Sequence, residues 1–462
     1  MTQIPLPLEK IQHIHFVGVG GIGVSALARF FHTQGKTISG SDRTDVRNEP
    51  DLLPTSMKFF LGHSPSNIEA QVELVVRSSA VPDTNPEIEE AHRRNLPVII
   101  YADALGLIGQ TKHTIGVSGT HGKSTTTALL GKFLIDGGKD PTVIVGARVP
   151  GWDYNLRKGY SELFVVEACE YERHMLRIAP STIVLTNIEA DHLDYYSGID
   201  DILSAFREYV SALPLDGALI YNYDDPHVRN IARSCTTLKI SFGISPDADL
   251  VAKSLRTEGN IQSFDLTWKG EHCGRFQTSL PGLYNVSNIL AAMAVALLSG
   301  VTLDCLKKTL DEFESIGRRF ERMGKFGETN IISDYAHHPT ALAGASQAVL
   351  IQDPNTLIVF QPHQKDRTQK LFMDFVRVLH DIPHLFILEI YEVAGRDQGM
   401  NITSQTFIGL LNDDKKRIHP VRYFPSLEAC EEVIRTEASK YSTILFIGAG
   451  NIHQLARSLV AP

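Results

Sequence analysis

The stretch that most constrains this chain runs from Thr114 to Thr127, reading Thr-Ile-Gly-Val-Ser-Gly-Thr-His-Gly-Lys-Ser-Thr-Thr-Thr. An apolar strand pattern over residues 113–117 enters a glycine-rich turn and leaves it as a helix-forming run. Glycines let backbone N–H groups close around an anion, and the helix that follows directs its positive end at it. In such a loop Lys123 reaches terminal phosphates and the Ser124 hydroxyl holds Mg²⁺. The strict pattern asks for glycine five residues before Gly122. Val117 stands there instead, with glycines at 116 and 119, so this is a variant phosphate loop.

A chain of 462 residues with 43% apolar and 21% charged residues has the composition of an ordinary globular protein of several domains. Its net charge of −9 gives no general attraction to nucleic acid or to an anionic membrane, so an anionic ligand needs local glycine loops, helix ends, lysines and arginines. The five cysteines are odd in number and scattered, with no C-x-x-C pair, which reads as reduced, intracellular and free of a cysteine metal site. Residues 1–10 lack the layout of a signal peptide, and the apolar run 289–298 is too short to span a bilayer. The expectation is a cytoplasmic protein, monomeric or weakly dimeric, with no membrane or nucleic-acid partner.

The first segment opens with a buried-strand pattern over 13–17, then Gly18-Val19-Gly20-Gly21-Ile22-Gly23, a helical stretch 24–34, and a second strand 36–40 followed by Ser41-Asp42. This G-x-G-x-x-G unit has an acid 19 positions beyond Gly23. Alone it reads as a Rossmann turn for a nicotinamide or flavin cofactor, and the motif does not fix which nucleotide it holds. Further strands are expected over 72–76 and 97–101. Ser78 and Ser79 follow the first of these, where open α/β sheets bind ligands. The first domain is placed at 1–110.

In the second segment, 111–315, strands over 163–166 and 182–185 end at Glu167 and at Thr186-Asn187-Ile188-Glu189-Ala190-Asp191-His192. Carboxylates at strand ends beside a phosphate loop suit Mg²⁺, a hard cation that prefers oxygen. His192 is a candidate metal ligand, whereas Glu170, Glu172 and Glu189 read as solvated charges. Asn285 and Asn288 open a small-residue helix and read locally as N-caps. The third segment, 316–462, begins with Arg318, Arg319 and Arg322. It then ends strands in polar groups, at Asp334-Tyr335-Ala336-His337-His338, at Gln361-Pro362-His363 with Arg367 beyond, and at Gly448-Ala449-Gly450-Asn451.

Six of these motifs, in this order over essentially the whole chain, resemble the Mur ligases, the ATP-dependent amide-forming enzymes of peptidoglycan precursor synthesis, and most closely their alanine-adding type. They are the Gly18–Gly23 turn, the loop Gly119-Thr120-His121-Gly122-Lys123-Ser124-Thr125, the run Asn187 to Asp194, Asp334 to Pro339, Gln361 to His363, and Gly448 to Ile452. The resemblance implies three α/β domains: a Rossmann-like N-terminal one, a central phosphate-loop ATPase and a Rossmann-like C-terminal one. It moves the first glycine turn, with Gly18, Gly20, Gly21, Gly23, Asp42, Ser78 and Ser79, from a dinucleotide to the diphosphate of UDP-N-acetylmuramate. It implies ATP contacts at the loop and at Asn285, Asn288, Arg319 and Asp334. It implies metal ligation by Ser124, Glu167 and His192, and amino-acid contacts at Tyr335, His337, His363 and Arg367. The catalytic groups it implies are Lys123, Glu167, His192 and His337, the last as base toward the amine of L-alanine.

Two departures from that type and one absence that favours it matter. Cys169 stands where the alanine-adding type carries Asp after the Glu167 strand. Gln364 stands where many members have Arg or Thr. The carbamylated lysine of the other Mur ligases has no counterpart, since no lysine occurs between His192 and Lys239. The competing readings are a Mur-type ligase adding a ready-made tripeptide, an NAD(P) oxidoreductase built on the first 110 residues, and a non-catalytic nucleotide sensor.

Overall fold

The computed structural model describes residues 6–47, 49, 51–393, 397, 401–413 and 419–460. Its contacts divide the chain into two compact units: Met1–Ile188 with Leu203–Leu250 and Ile289–Leu306, and Glu189–Ile202 with Val251–Asn288 and Lys307–Pro462.

The first unit holds a five-stranded parallel sheet in the order Lys58–Leu61, Thr37–Asp42, His13–Val17, Leu74–Arg77, Val98–Ile100. The strand order reverses between His13–Val17 and Leu74–Arg77, so the Gly18–Gly23 turn and Ser78 leave the sheet at the switch point where such folds bind ligands. The edge strand Lys58–Leu61 was not expected. It is only four residues long, and none of its side chains is fully buried, Phe59 and Phe60 included. The strand expected over 97–101 stops at Ile100, because Tyr101 begins a helix to Gly109.

The same unit contains the strands Leu238–Gly243, Ala218–Asn222, Thr182–Leu185, His113–Ser118, Leu163–Glu167 and Thr142–Ile144 side by side and parallel, with Leu156–Arg157 antiparallel at the end. The phosphate-loop strand therefore lies between the two strands that end in Glu167 and in Thr186-Asn187. Such strands are covered on both faces and read as continuous apolar runs, as Phe164-Val165-Val166 and Ile183-Val184-Leu185 do.

In the second unit an antiparallel hairpin pairs Ile261–Trp268 with Glu271–Thr278. A six-stranded sheet there runs Glu321–Phe326, Thr329–Asp334, Thr443–Ile447, Thr356–Phe360, His384–Leu388, Arg422–Phe424, parallel except for its first pair. Alternate residues of its central strands enter two apolar cores. Ile358, Phe360, Leu445 and Ile447 face one, and Leu357, Val359, Ile444 and Phe446 face the other. Asp334, Gln361 and Gly448 thus emerge together at the carboxyl ends of three adjacent interior strands. Among the described residues no helix is long and apolar enough to cross a membrane, and all five cysteines are free.

Candidate functional site

The phosphate loop is shaped by two left-handed glycines, Gly119 at φ +133° and Gly122 at φ +85°. A Cβ on Gly119 would lie 2.1 Å from the Thr186 hydroxyl, so no side chain fits there. Gly116 has a different purpose: a Cβ would meet the buried Tyr209 hydroxyl at 2.3 Å, so this glycine serves strand packing and not the turn. Asn187 fixes the loop, its Oδ1 accepting from the His121 N–H at 2.8 Å and its Nδ2 donating to the His121 carbonyl at 3.1 Å. The helix Lys123–Asp136 follows, and Gly122 at its N-cap offers no side chain to the first-turn N–H groups. Those groups and the helix dipole are what an anion needs. Ser124 and Thr125 are buried in that first turn.

Lys123 Nζ donates to the carbonyls of Gly119 (2.5 Å) and Thr120 (3.1 Å) and to the Glu170 carboxylate at 2.8 and 3.1 Å. Burial alone would pull the ammonium's pKa down, but Glu170 outweighs it and holds Lys123 above its ordinary value. Glu170, expected to be a solvated charge, is 3% exposed. The cause is simple: a lysine folded into its own loop needs a buried counter-ion. Glu172 is exposed, with its carboxylate 3.3 Å from His174 Nε2.

Glu167 ends its strand with Oε2 accepting from the Ser124 hydroxyl at 3.1 Å and Oε1 accepting from the Gly146 N–H. A Cβ on Gly146 would stand 2.9 Å from both carboxylate oxygens. Cys169, where the resemblance leads one to expect Asp, is a thiol pushed up to about 12 by burial and by the neighbouring Glu170. It is neutral, so it adds no second charge beside Glu167.

In the first glycine turn, the N–H groups of Gly18 and Val19 both donate to the Ser41 carbonyl. Asp42 Oδ2 accepts from Gly20 N–H at 2.8 Å and Oδ1 from Thr44 N–H at 3.0 Å, so Asp42 braces the turn. Gly23 makes room for the Tyr101 ring, which a Cβ would meet at 2.8 Å. Ser78 lies against Gly18, and Ser79 is exposed.

In the second unit, the backbone of His192 is left-handed at φ +53°, an uncommon conformation for a residue other than glycine. Its neighbour Asp191 is buried and receives Arg367 through both Nε and Nη2 at 3.0 Å. Burial works against the Asp191 carboxylate, but Arg367 holds its pKa well below the usual range. Arg367 Nη1 also donates to His363 Nδ1 at 3.4 Å. Arg367 is therefore a bonded cation in this structure. His363 stacks on Tyr391, ring centroids 5.5 Å apart.

His337 donates from Nδ1 to the Tyr335 carbonyl at 3.0 Å, which leaves Nε2 as the lone-pair nitrogen. Burial, and then the Arg367 charge, press its pKa well below that of free histidine. His337 is a neutral imidazole. Its ring lies 5.3 Å from Tyr335 and 5.9 Å from His363. Arg318 and Arg319 both lie over the Tyr335 ring, at 4.6 and 4.8 Å. Arg318 also donates to the Gly448 and Gly450 carbonyls, which ties it to the loop after the strand Thr443–Ile447.

Asp334 accepts from the N–H groups of Phe320 and Ala336, each at 2.8 Å, and burial raises its pKa. It holds two loop entries in register. Gln361 is bonded to Asn451 and to the Ile452 N–H, which joins two of the sequence motifs. Asn285 is not an N-cap: it lies inside the helix Leu283–Leu298 and donates to the Pro281 carbonyl at 2.8 Å, while its Oδ1 accepts from Asn288. Glu189, also expected to be solvated, accepts from the Thr340 hydroxyl at 2.7 Å beside His338.

The family model for the Mur ligase middle domain matches residues 117–296. The model described as Mur ligase family, catalytic domain, matches 13–113, and that described as Mur ligase, glutamate ligase domain, matches 318–450. The chain is 35% identical over 454 residues to the UDP-N-acetylmuramate–L-alanine ligase of Syntrophus aciditrophicus, covering 98% of this chain and 94% of the relative. It is 36% identical to the ligase of the same name from Aquifex aeolicus, covering 96% of each. The crystal structure of UDP-N-acetylmuramate-alanine ligase from Thermotoga maritima superposes with a TM-score of 0.81 at 26% identity, covering 97% of this chain and 98% of that one. A murein peptide ligase from Psychrobacter arcticus shares the fold at a TM-score of 0.72 and 22% identity.

Proposed function

The chain belongs to the Mur ligase family, and on that premise we propose that it joins L-alanine to the lactyl carboxylate of UDP-N-acetylmuramate at the expense of ATP. The observation that carries the reading is the phosphate loop with Lys123, Ser124 and Glu167 gathered at adjacent strand ends. We keep the domains at 1–110 for the UDP-sugar, 111–315 for ATP and 316–462 for the amino acid.

A carboxylate is a poor acyl donor because its leaving group would be oxide. An oxygen of the lactyl carboxylate attacks the γ-phosphorus of ATP, and ADP leaves. The amine nitrogen of alanine then attacks the acyl carbon, and phosphate leaves with the transferred oxygen. Charge grows on the phosphoryl oxygens in the first step, and the loop N–H groups and Lys123 answer it. Lys123 must trade Glu170 for phosphate to do so. Ser124 and Glu167 supply a hydroxyl and a carboxylate 3.1 Å apart, a hard-oxygen pair suited to Mg²⁺. When bound, that ion would neutralise phosphate charge.

In the second step the incoming ammonium must lose a proton. His337 is the fitting acceptor: its Nδ1–H is committed to Tyr335, and it is neutral at physiological pH. The UDP diphosphate is assigned to the Gly18–Gly23 turn at the switch point of the first sheet.

The test is phosphate release from ATP with UDP-N-acetylmuramate, run separately with L-alanine, glycine, L-serine and the tripeptide. The reading expects L-alanine to stimulate release most. Stimulation by tripeptide alone would reassign the chain to peptide addition, and none by any acceptor would sink the ligase reading.

A further inference from the structure

Asn155 is fully buried and belongs to no recognised motif. Its Nδ2 donates to two carbonyls, that of Ile22 at 3.0 Å and that of Val145 at 2.5 Å. Its Oδ1 accepts from Arg29 Nη2, and its backbone carbonyl accepts from the Val145 N–H at 3.0 Å. Ile22 lies within the first glycine turn and opens the helix behind it. Val145 precedes Gly146, whose N–H is held by Glu167. One carboxamide therefore ties the turn assigned to diphosphate to the peptide that fixes the carboxylate assigned to metal. Asparagine suits the position because its amide offers two donors and an acceptor. Aspartate has no donor, and leucine has neither.

A second contact runs the same way. The Tyr101 ring fills the space that a Cβ on Gly23 would need, and the same buried tyrosine feels the charge of Glu167. Arg29 anchors the arrangement, with further bonds to the Leu52 carbonyl and an approach of 3.7 Å to Asp153.

We propose that Asn155 is a positioning residue that couples occupancy of the Gly18–Gly23 turn to the placement of Glu167, so that the UDP-sugar and the metal nucleotide strengthen each other's binding. The proposal rests on the ligand assignments made above. Such coupling is reciprocal by thermodynamic necessity. It passes through backbone groups that a diphosphate shifts at one end and a cation shifts at the other.

The test is calorimetric titration of UDP-N-acetylmuramate into the protein with and without saturating Mg²⁺ and ADP. The wild-type protein is expected to bind the sugar nucleotide about 5–150-fold more tightly with them. Asn155→Asp keeps the acceptor for Arg29 and loses both donors. In that variant the ratio of the two affinities falls to nearly one. A general loosening of either site would weaken binding and leave the ratio intact, and that result overturns the proposal. So does a wild-type ratio of one. Wild-type protein that binds ADP but no UDP-sugar overturns the ligand assignment as well. A measurement on the unaltered chain guards against a variant that does not fold: amide exchange at residues 143–147 should slow when UDP-N-acetylmuramate alone is added. Unchanged exchange with the sugar bound contradicts the coupling.

Discussion

Lys123 and Glu170 form a buried ion pair, with the ammonium 2.8 and 3.1 Å from the two carboxylate oxygens. The loop lysine is thus satisfied by groups of the protein itself, and a phosphate reaching it has to displace a carboxylate. Removing one member of such a pair strands the other charge. Lys123→Met should lose activity by at least about 10²-fold and should also lower stability by about 3–5 kcal/mol. The double variant Lys123→Met with Glu170→Gln should recover most of the stability and none of the activity. Denaturant unfolding of the four proteins in the cycle checks this.

Gly146 contacts Glu167 so closely that a methyl group cannot be added without moving the carboxylate. Gly146→Ala should therefore raise the Mg²⁺ concentration needed for half-maximal phosphate release, with circular dichroism unchanged. An unaltered Mg²⁺ titration would mean that Glu167 does not hold the ion.

His337→Gln should slow amide formation by about 10²–10⁴-fold, the usual contribution of a positioned base. It should spare formation of the acyl phosphate, which hydroxylamine traps. Because burial and Arg367 depress the His337 pKa, the imidazole stays neutral through pH 7. The acid limb it contributes to the rate profile lies below the free-histidine value of about 6.5. A limb above that value contradicts the assignment.

The same shifts set the acid stability. His337 has a lowered folded pKa, so the unfolded chain takes up its proton first, and stability falls as the pH drops below about 6.5. Asp191 is held low by Arg367, so its contribution is present above about pH 3.9 and is lost as the pH falls through the folded value. Arg367→Ala should cost about 3–5 kcal/mol at pH 7, and denaturant unfolding followed from pH 7 down through the acid range below about pH 3.9 should show the cost shrinking as Asp191 takes up its proton.

What could be read from the sequence was local. The turn at Gly119 and Gly122, the lysine after it and the carboxylate ending the next strand declare themselves by spacing, because strand, turn and helix are consecutive in the chain. Glu170 did not, since burial of a charge depends on where the Lys123 side chain folds, and an acid in a polar run looks solvated. Asn155 was invisible for a different reason: it meets Ile22 across 133 residues, and nothing periodic surrounds it. Gly116 misled in the opposite sense, being a glycine required by Tyr209 and not by phosphate. The neutrality of His337 also depends on groups brought from elsewhere, first those that bury it and then the Arg367 charge.

The proposed chemistry has ATP activate the lactyl carboxylate as an acyl phosphate for attack by L-alanine. It is tested most directly with UDP-N-acetylmuramate labelled with ¹⁸O in that carboxylate, incubated with ATP, Mg²⁺, L-alanine and the protein. Mass spectrometry of the released phosphate should show one labelled oxygen for each amide formed. Amide formed with unlabelled phosphate, or no phosphate release on adding L-alanine, would contradict the account.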